Sequence, residues 1–277
     1  MGTKFYTAKY DRVFKAIFCT EENKHMMKKL LESVLEKSIT ELTFLNNELP
    51  VKNTKERVKT VDVLALVDDE FIHIELNANN YSFLHTRNFI YFSTIYGKKT
   101  NRGDEYDYKT KFIHIDFSYG LNSKKDDVTK YYVMNKNGIK YIDNIEIIEF
   151  NMDSLKKYCY TKSSEEYNKY KHLIMLDLDK TELNDIEGDE FMNEYKEKVE
   201  SLNEDLTFTS AISYEDDQRM ILNTERKISF EEGMEKGQEE SKINIIKSMY
   251  DKEFSLEQIA DIINISVDEV RNILEFK

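Results

Sequence analysis

Two acidic residues on neighbouring segments are the strongest candidates for chemistry in this chain. Asp62 interrupts the apolar run VDVLALV at 61–67, and Glu75 lies in FIHIELN at 71–77. Residues two apart in a strand share a face, so Glu75 and Asn77 point the same way. Carboxylates held close together repel and raise each other's pKa unless a cation lies between them. Mg²⁺ binds one or two carboxylates together with water and phosphate oxygens, so the pair predicts metal-dependent phosphodiester hydrolysis.

The two segments that carry these acids are predicted to form a β-hairpin. Residues 58–67 are rich in β-branched side chains, residues 71–76 alternate strictly, and a short polar turn separates them. A loop of two or four residues places Asp62 directly opposite Glu75, with Cβ atoms about 5 Å apart. A loop of three residues places Asp62 opposite Leu76. The competing interpretation is that both acids are solvated and inert at an exposed sheet edge.

A third acid lies on the first predicted helix. Asp11 shares a helical face with Phe14, Lys15 and Phe18, so the spacing predicts that it points toward the buried side. The alternative is that Asp11 caps the helix N-terminus.

A basic residue interrupts the apolar stripe of a later helix. Arg87 lies among Phe83, Leu84, Ile90 and Tyr91, where an aliphatic residue would be expected. An arginine on the buried side suits phosphate or carboxylate recognition, although a structural ion pair with a core acid has the same pattern. His73 and His114 lie within strands beside aromatic residues, and His73 shares the face of Asp62 and Glu75; we interpret it as a hydrogen-bonded sheet histidine, with a metal ligand as the alternative.

The elements that must position these residues follow from periodicity. Helices are predicted within 11–37 (with Asn23 as a cap), at 82–98, 163–178, 189–204 and 213–250, and as two short helices in 254–276. Strands are predicted at 39–45, 58–67, 71–76, 111–118, 130–134 and 145–150. This order indicates an α/β core with a helical C-terminal extension. The predicted domains are a core at 1–152, a helical extension at 153–244 and a small tail resembling a helix-turn-helix at 245–277.

Composition excludes several classes of protein. The chain has 277 residues, 40% of them hydrophobic, which permits a sizeable core. The two cysteines, Cys19 and Cys159, form no CxxC pair, which argues against a disulfide scaffold or a thiolate zinc cluster. No run of about eighteen apolar residues and no apolar leader is present, so we expect a cytoplasmic protein without a membrane partner.

Charge is spread unevenly along the chain. The net charge is −13, but residues 1–140 carry 23 Lys and Arg against 19 Asp and Glu, whereas residues 141–277 carry 17 against 34. An acidic protein repels nucleic acid overall, so any polyanion must bind the first half. The tail holds four basic residues against seven acidic ones, which favours a packing or dimerisation role over DNA reading.

The ordered series of motifs resembles a known family, the recombination-promoting nuclease (Rpn) or putative transposase group of the PD-(D/E)XK nuclease superfamily. The residues that carry the resemblance are Asp11-x-x-Phe14-Lys15-x-x-Phe18, Asp62-Val-Leu-Ala, Ile74-Glu75-Leu76-Asn77, Arg87-Asn88-x-x-Tyr91 and Phe112-Ile-His-Ile-Asp116. The resemblance covers roughly residues 8–120 well and the helical tail more loosely.

This resemblance implies a PD-(D/E)XK restriction-endonuclease-like core with a central mixed β-sheet, acting as a Mg²⁺-dependent DNA endonuclease associated with recombination or transposition. Asp62 and Glu75 would be metal ligands, with the backbone carbonyl of Leu76 as a third. Asp11 and Asn77 would complete the catalytic set, and Mn²⁺ would substitute for Mg²⁺. Asn77 stands where the superfamily commonly has Lys and this family commonly has Gln.

We assign DNA or phosphate contacts to Arg87, Tyr91 and Lys15. A homodimer is attractive because one active site cuts one strand. The main alternative is a catalytically inactive binding protein on the nuclease scaffold, a regulatory or mobile-element partner module in which Asn77 marks a lost active site. A transcription regulator acting through the C-terminal helices is a weaker third hypothesis, because its tail is acidic.

Overall fold

The computed structural model describes residues 4–49, 59–97, 108–121, 126–161, 164–186 and 188–275. Positions 58, 98, 163 and 276 of the predicted segments lie outside these ranges. The chain divides into two compact units, residues 1–209 and residues 210–277.

Two helices come first in the chain, the strands follow in two groups separated by one helix, and helices make up the rest. The helices are α1 (Asp11–Phe18), α2 (Lys24–Leu35), α3 (Leu84–Gly97), α4 (Met152–Lys156), α5 (Glu165–Ile174), α6 (Lys180–Asn184), α7 (Glu190–Glu204), α8 (Leu206–Asp251), α9 (Leu256–Ile263) and α10 (Val267–Glu275). The strands are β1 (Leu42–Phe44), β2 (Glu48–Leu49), β3 (Lys59–Thr60), β4 (Val63–Val67), β5 (Glu70–Asn77), β6 (Phe112–Ser118), β7 (Val128–Tyr131) and β8 (Ile145–Asn151). Two 3₁₀ turns occupy Lys157–Tyr160 and Met175–Asp177.

Six strands form one mixed sheet in the order β1-β4-β5-β6-β8-β7. Strand β5 pairs with β6, and β6 with β8, in parallel, whereas the β1–β4, β4–β5 and β7–β8 pairs are antiparallel. Parallel neighbours need a crossover connection, and α3 lies between β5 and β6 in the chain. The mixed sheet with its helices confirms the predicted α/β class and the helical C-terminus.

The predicted hairpin forms with a two-residue loop. Asp68 (φ 45°) and Asp69 (φ 66°) both adopt left-handed backbone, which is the conformation of the type I′ turn that matches strand twist. The Asp68 carboxylate accepts hydrogen bonds from the backbone N–H groups of Thr40 (3.0 Å) and Glu41 (2.8 Å). Val67 therefore pairs with Glu70, as the even-loop arrangement predicts.

The first hairpin strand is shorter than predicted. Residues 58–67 were expected to be one strand, but β3 ends at Thr60, pairs with β2 in a separate two-stranded sheet, and β4 begins only at Val63. The backbone bends at Asp62 because its carboxylate turns toward β5 and accepts the Leu76 N–H at 2.8 Å. A regular strand would have directed this side chain away from the backbone of its neighbour.

The apolar face of the sheet builds the core with α1 and α2. Ile74, Ile115 and Ile148 lie side by side across three strands, and each is buried. Phe14 of α1 packs on Phe117 of β6, with ring centroids 6.3 Å apart. The helical spacing that predicted an inward face for Phe14 and Phe18 is thus confirmed, since both are fully buried.

The region predicted as helical over 11–37 is two helices separated by a turn. Asn23 occupies the cap position of α2, as predicted, but its side chain donates to the carbonyl of Ala16 in α1 (3.2 Å) instead of accepting from α2. This bond satisfies one of the carbonyls that a helix end leaves free. Helices α4 and α6, of five residues each, were not predicted because such short elements leave no clear period.

The second unit contains its own small core. Ile246 of α8, Ile259 and Ala260 of α9, and Val270 of α10 are buried against one another. Ser255 caps α9 with a reciprocal box to Gln258, and Asn264 ends that helix in left-handed backbone.

Candidate active site

The structure brings Asp62 and Glu75 together. Val63 pairs with Ile74, so Asp62 lies one residue before β4 and opposite Glu75. Two backbone contacts lock the pair: the Asp62 N–H donates to Glu75 Oε1 at 3.4 Å, and the Leu76 N–H donates to Asp62 Oδ2 at 2.8 Å. Glu75 is buried, and only 21% of the Asp62 side chain is exposed, so the pair is not a solvated sheet edge.

Both carboxyl groups hold protons more tightly than free acids. Burial, the nearby Glu75 and Asp11 raise the pKa of Asp62 to about 7. Burial raises the pKa of Glu75 to about 7 as well, against the opposing effects of His114 and Arg87. Two acids perturbed together by burial and like charge form a site that gains stability from a bound cation.

The donor set of this pair fits a hard divalent cation. Backbone N–H groups donate to Asp62 Oδ2 and Glu75 Oε1, whereas Asp62 Oδ1 accepts only a long hydrogen bond from Lys15 Nζ (3.5 Å), and Glu75 Oε2 lies 3.7 Å from Arg87 Nη2. The backbone carbonyl of Asn77 accepts a hydrogen bond from the backbone N–H of Tyr119, on the β6 side. Consecutive backbone carbonyls of a strand point to opposite edges. The Leu76 carbonyl therefore points to the β4 edge, where Asp62 lies.

Protein side chains alone do not complete a metal site. Within the described ranges, no group of three or more His, Cys, Asp or Glu side chains is arranged to hold a metal ion. A cation held by Asp62 and Glu75 would take its remaining ligands from the Leu76 carbonyl, water and phosphate. Mg²⁺ binds in this manner in many phosphate-processing sites.

Lys15 links α1 to the acidic pair. Its Nζ lies 2.8 Å from Asp11 Oδ1 and 3.5 Å from Asp62 Oδ1. Burial lowers the pKa of Lys15, but hydrogen bonds and charge from Asp11 and Asp62 outweigh it, and the net pKa is raised. The ammonium therefore stays protonated between two carboxylates.

The predicted orientation of Asp11 is wrong. Its side chain is 51% exposed, and α1 begins at Asp11 with Tyr10 as the cap residue, so it neither points into the core nor caps the helix. The helical face was correctly phased for Phe14 and Phe18, but Asp11, the first residue of α1, remains exposed. Asp11 still lies near the site through its ion pair with Lys15.

Asn77 lies on the Glu75 face, buried beneath α3. Its amide donates to Asp116 Oδ1 (2.9 Å) and Ser118 Oγ (3.3 Å), and its carbonyl oxygen accepts from Arg87 Nη2 (2.7 Å) and Asn88 Nδ2 (3.3 Å). Arg87 thus reaches the pair from α3, with Nη2 3.7 Å from Glu75 Oε2 and its guanidinium carbon 5.9 Å from the Tyr91 ring centre.

Sequence reasoning missed the acids of the neighbouring strands. Glu75 of β5, Asp116 of β6 and Glu149 of β8 lie in one row across the sheet, and all three are buried. Asn88 of α3 donates to Asp116 Oδ1 at 2.6 Å. His73 Nε2 is hydrogen-bonded to Glu75 Oε1 at 3.0 Å, which confirms that His73 is a hydrogen-bonded sheet residue.

The far end of this row is a second polar cluster. Glu149 is held by His85 Nε2 (2.8 Å), the Tyr131 hydroxyl (2.9 Å) and the Ser118 hydroxyl (3.4 Å). His85 is exposed on α3, so the buried polar layer reaches the surface on that side.

A repeated pattern in the sequence could have revealed the missed residues. Strand β5 carries FIHIE at 71–75 and β6 carries FIHID at 112–116, and the two segments pair in register. Phe71 stacks on Phe112 with ring centres 5.0 Å apart, and His73 lies against His114 at 4.5 Å. Two strands with the same pattern on the same faces are the signal that Asp116 lies beside Glu75.

Comparison with known proteins agrees with this geometry. Residues 8–236 match the model of a family described as PD-(D/E)XK nuclease family transposase. This chain belongs to that family. The match confirms the resemblance inferred from the motifs and extends it from the PD-(D/E)XK core into α8. No curated protein and no solved structure matches the chain significantly.

Membership of the PD-(D/E)XK nuclease family transposases associates the chain with nuclease chemistry and transposition. The sheet with its Asp62–Glu75 pair is the part of the structure to which that chemistry would belong. Among the helices described, none is long and apolar enough to cross a membrane.

Proposed function

We propose that this protein is a Mg²⁺-dependent DNA endonuclease that hydrolyses phosphodiester bonds during transposition or recombination. The observation that carries the proposal is the Asp62–Glu75 pair, a partly buried and a buried carboxylate on facing positions, each accepting a backbone N–H from the other's segment and each with a pKa raised to about 7. Asp62, Glu75 and the Leu76 carbonyl would hold the cation, with Mn²⁺ as a substitute. The protein would act in the cytoplasm, where its substrate lies.

The residues around the pair have separate tasks in this proposal. A bound divalent ion supplies an acidified water and neutralises phosphate charge. Lys15, Arg87 and Tyr91 contact the DNA backbone, and Asp11 orients Lys15 through their ion pair. The water oxygen forms the new bond to phosphorus and releases a proton to solvent, while the bond to the leaving sugar oxygen breaks and that oxygen takes a proton from solvent.

The test is plasmid cleavage at low salt, because phosphate contacts weaken steeply as salt rises. Wild type, Asp62→Asn and Glu75→Gln are incubated with Mg²⁺, Mn²⁺ or EDTA. Glu239→Gln, which removes an exposed carboxylate of α8, is the matched control. We expect wild type and the control to cut only with metal, and both site variants to lose at least about 100-fold in rate, because each removes a metal ligand.

Thermal unfolding of each variant separates lost chemistry from lost folding. Cleavage that persists in Asp62→Asn would refute the site. If folded wild type cuts with neither metal, the inactive scaffold is the better description, and the engaged amide of Asn77 is the observation that favours it. Linear product without a nicked intermediate would support a homodimer, since one site cuts one strand.

A further inference from the structure

We propose that Arg87 is the catalytic cation of this site and that Asn77 is the residue that positions it. The inference deepens the proposed function and rests on it: it assigns the positive charge beside the metal ligands to α3 instead of to residue 77 of β5.

The side-chain amide of Asn77 has no hydrogen-bonding capacity left for water or substrate. A carboxamide offers two N–H donors and two acceptor lone pairs. Its donors reach Asp116 and Ser118, and its oxygen accepts from Arg87 and Asn88, at 2.7–3.3 Å. Its side chain is buried and fully engaged, so a direct role in activating water would require breaking one of these bonds.

The hydrogen bonds of Asn77 and Asn88 fix the orientation of the Arg87 guanidinium. Asn77 Oδ1 holds Nη2 at 2.7 Å, and Asn88 Oδ1 holds Nε at 3.1 Å. Asn88 is itself fixed by Asp116 at 2.6 Å. Two nitrogens of the guanidinium are therefore clamped by buried amides, while 33% of the side chain remains exposed. A rigid fork with an open side is the geometry that binds a phosphate oxygen.

Lys15, the other cation of the site, has more negative charge around it than Arg87 has. Two carboxylates lie against Lys15, Asp11 at 2.8 Å and Asp62 at 3.5 Å. The clamps on Arg87 are neutral amides, and its ionic contact is with Glu75 Oε2 at 3.7 Å. Arg87 therefore keeps more of its positive charge for an incoming phosphate, and it lies on the Glu75 side of the pair.

This arrangement predicts effects of opposite sign for Arg87→Gln. The amide nitrogen of glutamine stands near the position of Arg87 Nε and keeps a donor for Asn88, but the change removes a positive charge beside a metal ligand. We expect affinity for Mn²⁺ alone, measured by electron paramagnetic resonance of the free ion, to rise roughly three- to tenfold. Affinity for a short duplex in Ca²⁺, measured by fluorescence anisotropy, should fall at least about tenfold, and Mg²⁺-dependent cutting should fall further.

Two further variants define the charge effect. Arg87→Lys should keep the wild-type Mn²⁺ affinity and part of the duplex affinity, because the charge remains while the fork is lost. Arg226→Gln removes an exposed arginine of α8 and should leave both affinities unchanged. Mn²⁺ affinity that falls or stays constant in Arg87→Gln, or duplex affinity equal to wild type, would overturn the proposal.

A double-mutant cycle tests the positioning role of Asn77. Asn77→Leu should lower duplex affinity in the wild-type background but add nothing in the Arg87→Gln background, because Asn77 acts through Arg87. Additive losses would show a general structural role and contradict the assignment. Asn77→Lys should reduce cutting, since it removes the clamp and places a second cation beside Arg87. Faster cutting by Asn77→Lys would show that the site needs a cation at residue 77 itself, which would contradict the role given to Arg87.

These measurements keep the two proposals apart. If wild type binds Mn²⁺ and duplex but does not cut, the proposed hydrolysis fails, and the two affinities still decide whether Arg87 is the phosphate-binding cation.

Discussion

His73 and His114 face each other with their Nδ1 atoms 2.8 Å apart, so one of these nitrogens carries a hydrogen and the other accepts it. When Glu75 is ionised, His73 donates to it from Nε2 and must accept at Nδ1 while neutral. His114 is then the donor from its Nδ1, and its Nε2 lies 3.1 Å from Asp116 Oδ1. The protonation of Glu75 on β5 is thus linked to the tautomers of an imidazole pair that spans β5 and β6.

The first prediction concerns the tautomer of His73. Burial and the neighbouring His114 hold the pKa of His73 well below its ordinary value, so it stays neutral. We expect metal-free protein at pH 8 to hold His73 as the Nε2–H tautomer, because ionised Glu75 accepts that hydrogen. Long-range proton–nitrogen correlation spectra report the tautomer directly, and a Nδ1–H form at pH 8 would contradict the hydrogen-bond direction.

The second prediction concerns stability against pH. The pKa values of Asp62 and Glu75 are raised to about 7, above those of the unfolded chain near 4. The folded state therefore binds more protons between pH 4 and pH 7, and metal-free protein loses stability as pH rises through that window. Asp62→Asn removes the contribution of Asp62 to this loss. Its free energy of unfolding should therefore exceed that of wild type by an amount that grows to about 1–3 kcal/mol at pH 8, after allowance for the partial exposure of Asp62.

Urea unfolding of both proteins at pH 5 and pH 8 measures that difference. Added Mg²⁺ should stabilise wild type at pH 8 and leave Asp62→Asn nearly unchanged, since a ligand that binds only the folded state adds stability. An advantage of Asp62→Asn that is equal at both pH values would contradict a raised pKa for Asp62.

The third prediction concerns Asn88. Its amide donates to Asp116 and its oxygen accepts from Arg87. Asn88→Leu leaves a buried carboxylate short of a donor, which should cost about 2–4 kcal/mol in the free energy of unfolding. Thr94→Ala, a change at a half-buried position of the same helix whose hydroxyl makes an exposed hydrogen bond to Ile90, should cost about 0.5 kcal/mol or less. Equal losses in the two variants would mean that Asn88 is not needed to satisfy Asp116.

The fourth prediction compares the two turn residues. Both have left-handed backbone, which glycine adopts without strain, so Asp69→Gly should stabilise the fold by about 0.5–1 kcal/mol. Asp68→Gly should instead destabilise it by about 1 kcal/mol, because the Asp68 carboxylate accepts from the N–H groups of Thr40 and Glu41. Thermal unfolding distinguishes the two signs, and the same sign in both variants would contradict the role given to Asp68.

The facing positions of Asp62 and Glu75 could be predicted because they depend on local rules. Strand alternation and the length of one hairpin loop decide which residues face each other. The inward face of α1 followed from spacing in the same way, but the exposure of Asp11 did not. That exposure depends on what packs against the first turn of the helix, and helical phase carries no such information.

The polar layer under α3 could not be derived from local rules. Asp116 is adjacent to Glu75 only because β6 pairs with β5 in parallel after a crossover, and Glu149 is added by β8. The engagement of Asn77 depends on Ser118, Arg87 and Asn88, which lie on two other elements. Single-strand periodicity places a residue on a face, but it does not identify what packs on that face.

The contact between α3 and the sheet has a consequence for mechanics. Apolar side chains that interdigitate tolerate sliding by a fraction of a turn, because dispersion has little directional preference. The hydrogen bonds of Asn88 to Asp116 and of His85 to Glu149 tolerate only small changes in distance and angle. They therefore fix the position of α3 along its own axis. We expect α3 to resist displacement along its axis. The Arg87 guanidinium should therefore keep its position beside Glu75 when DNA binds.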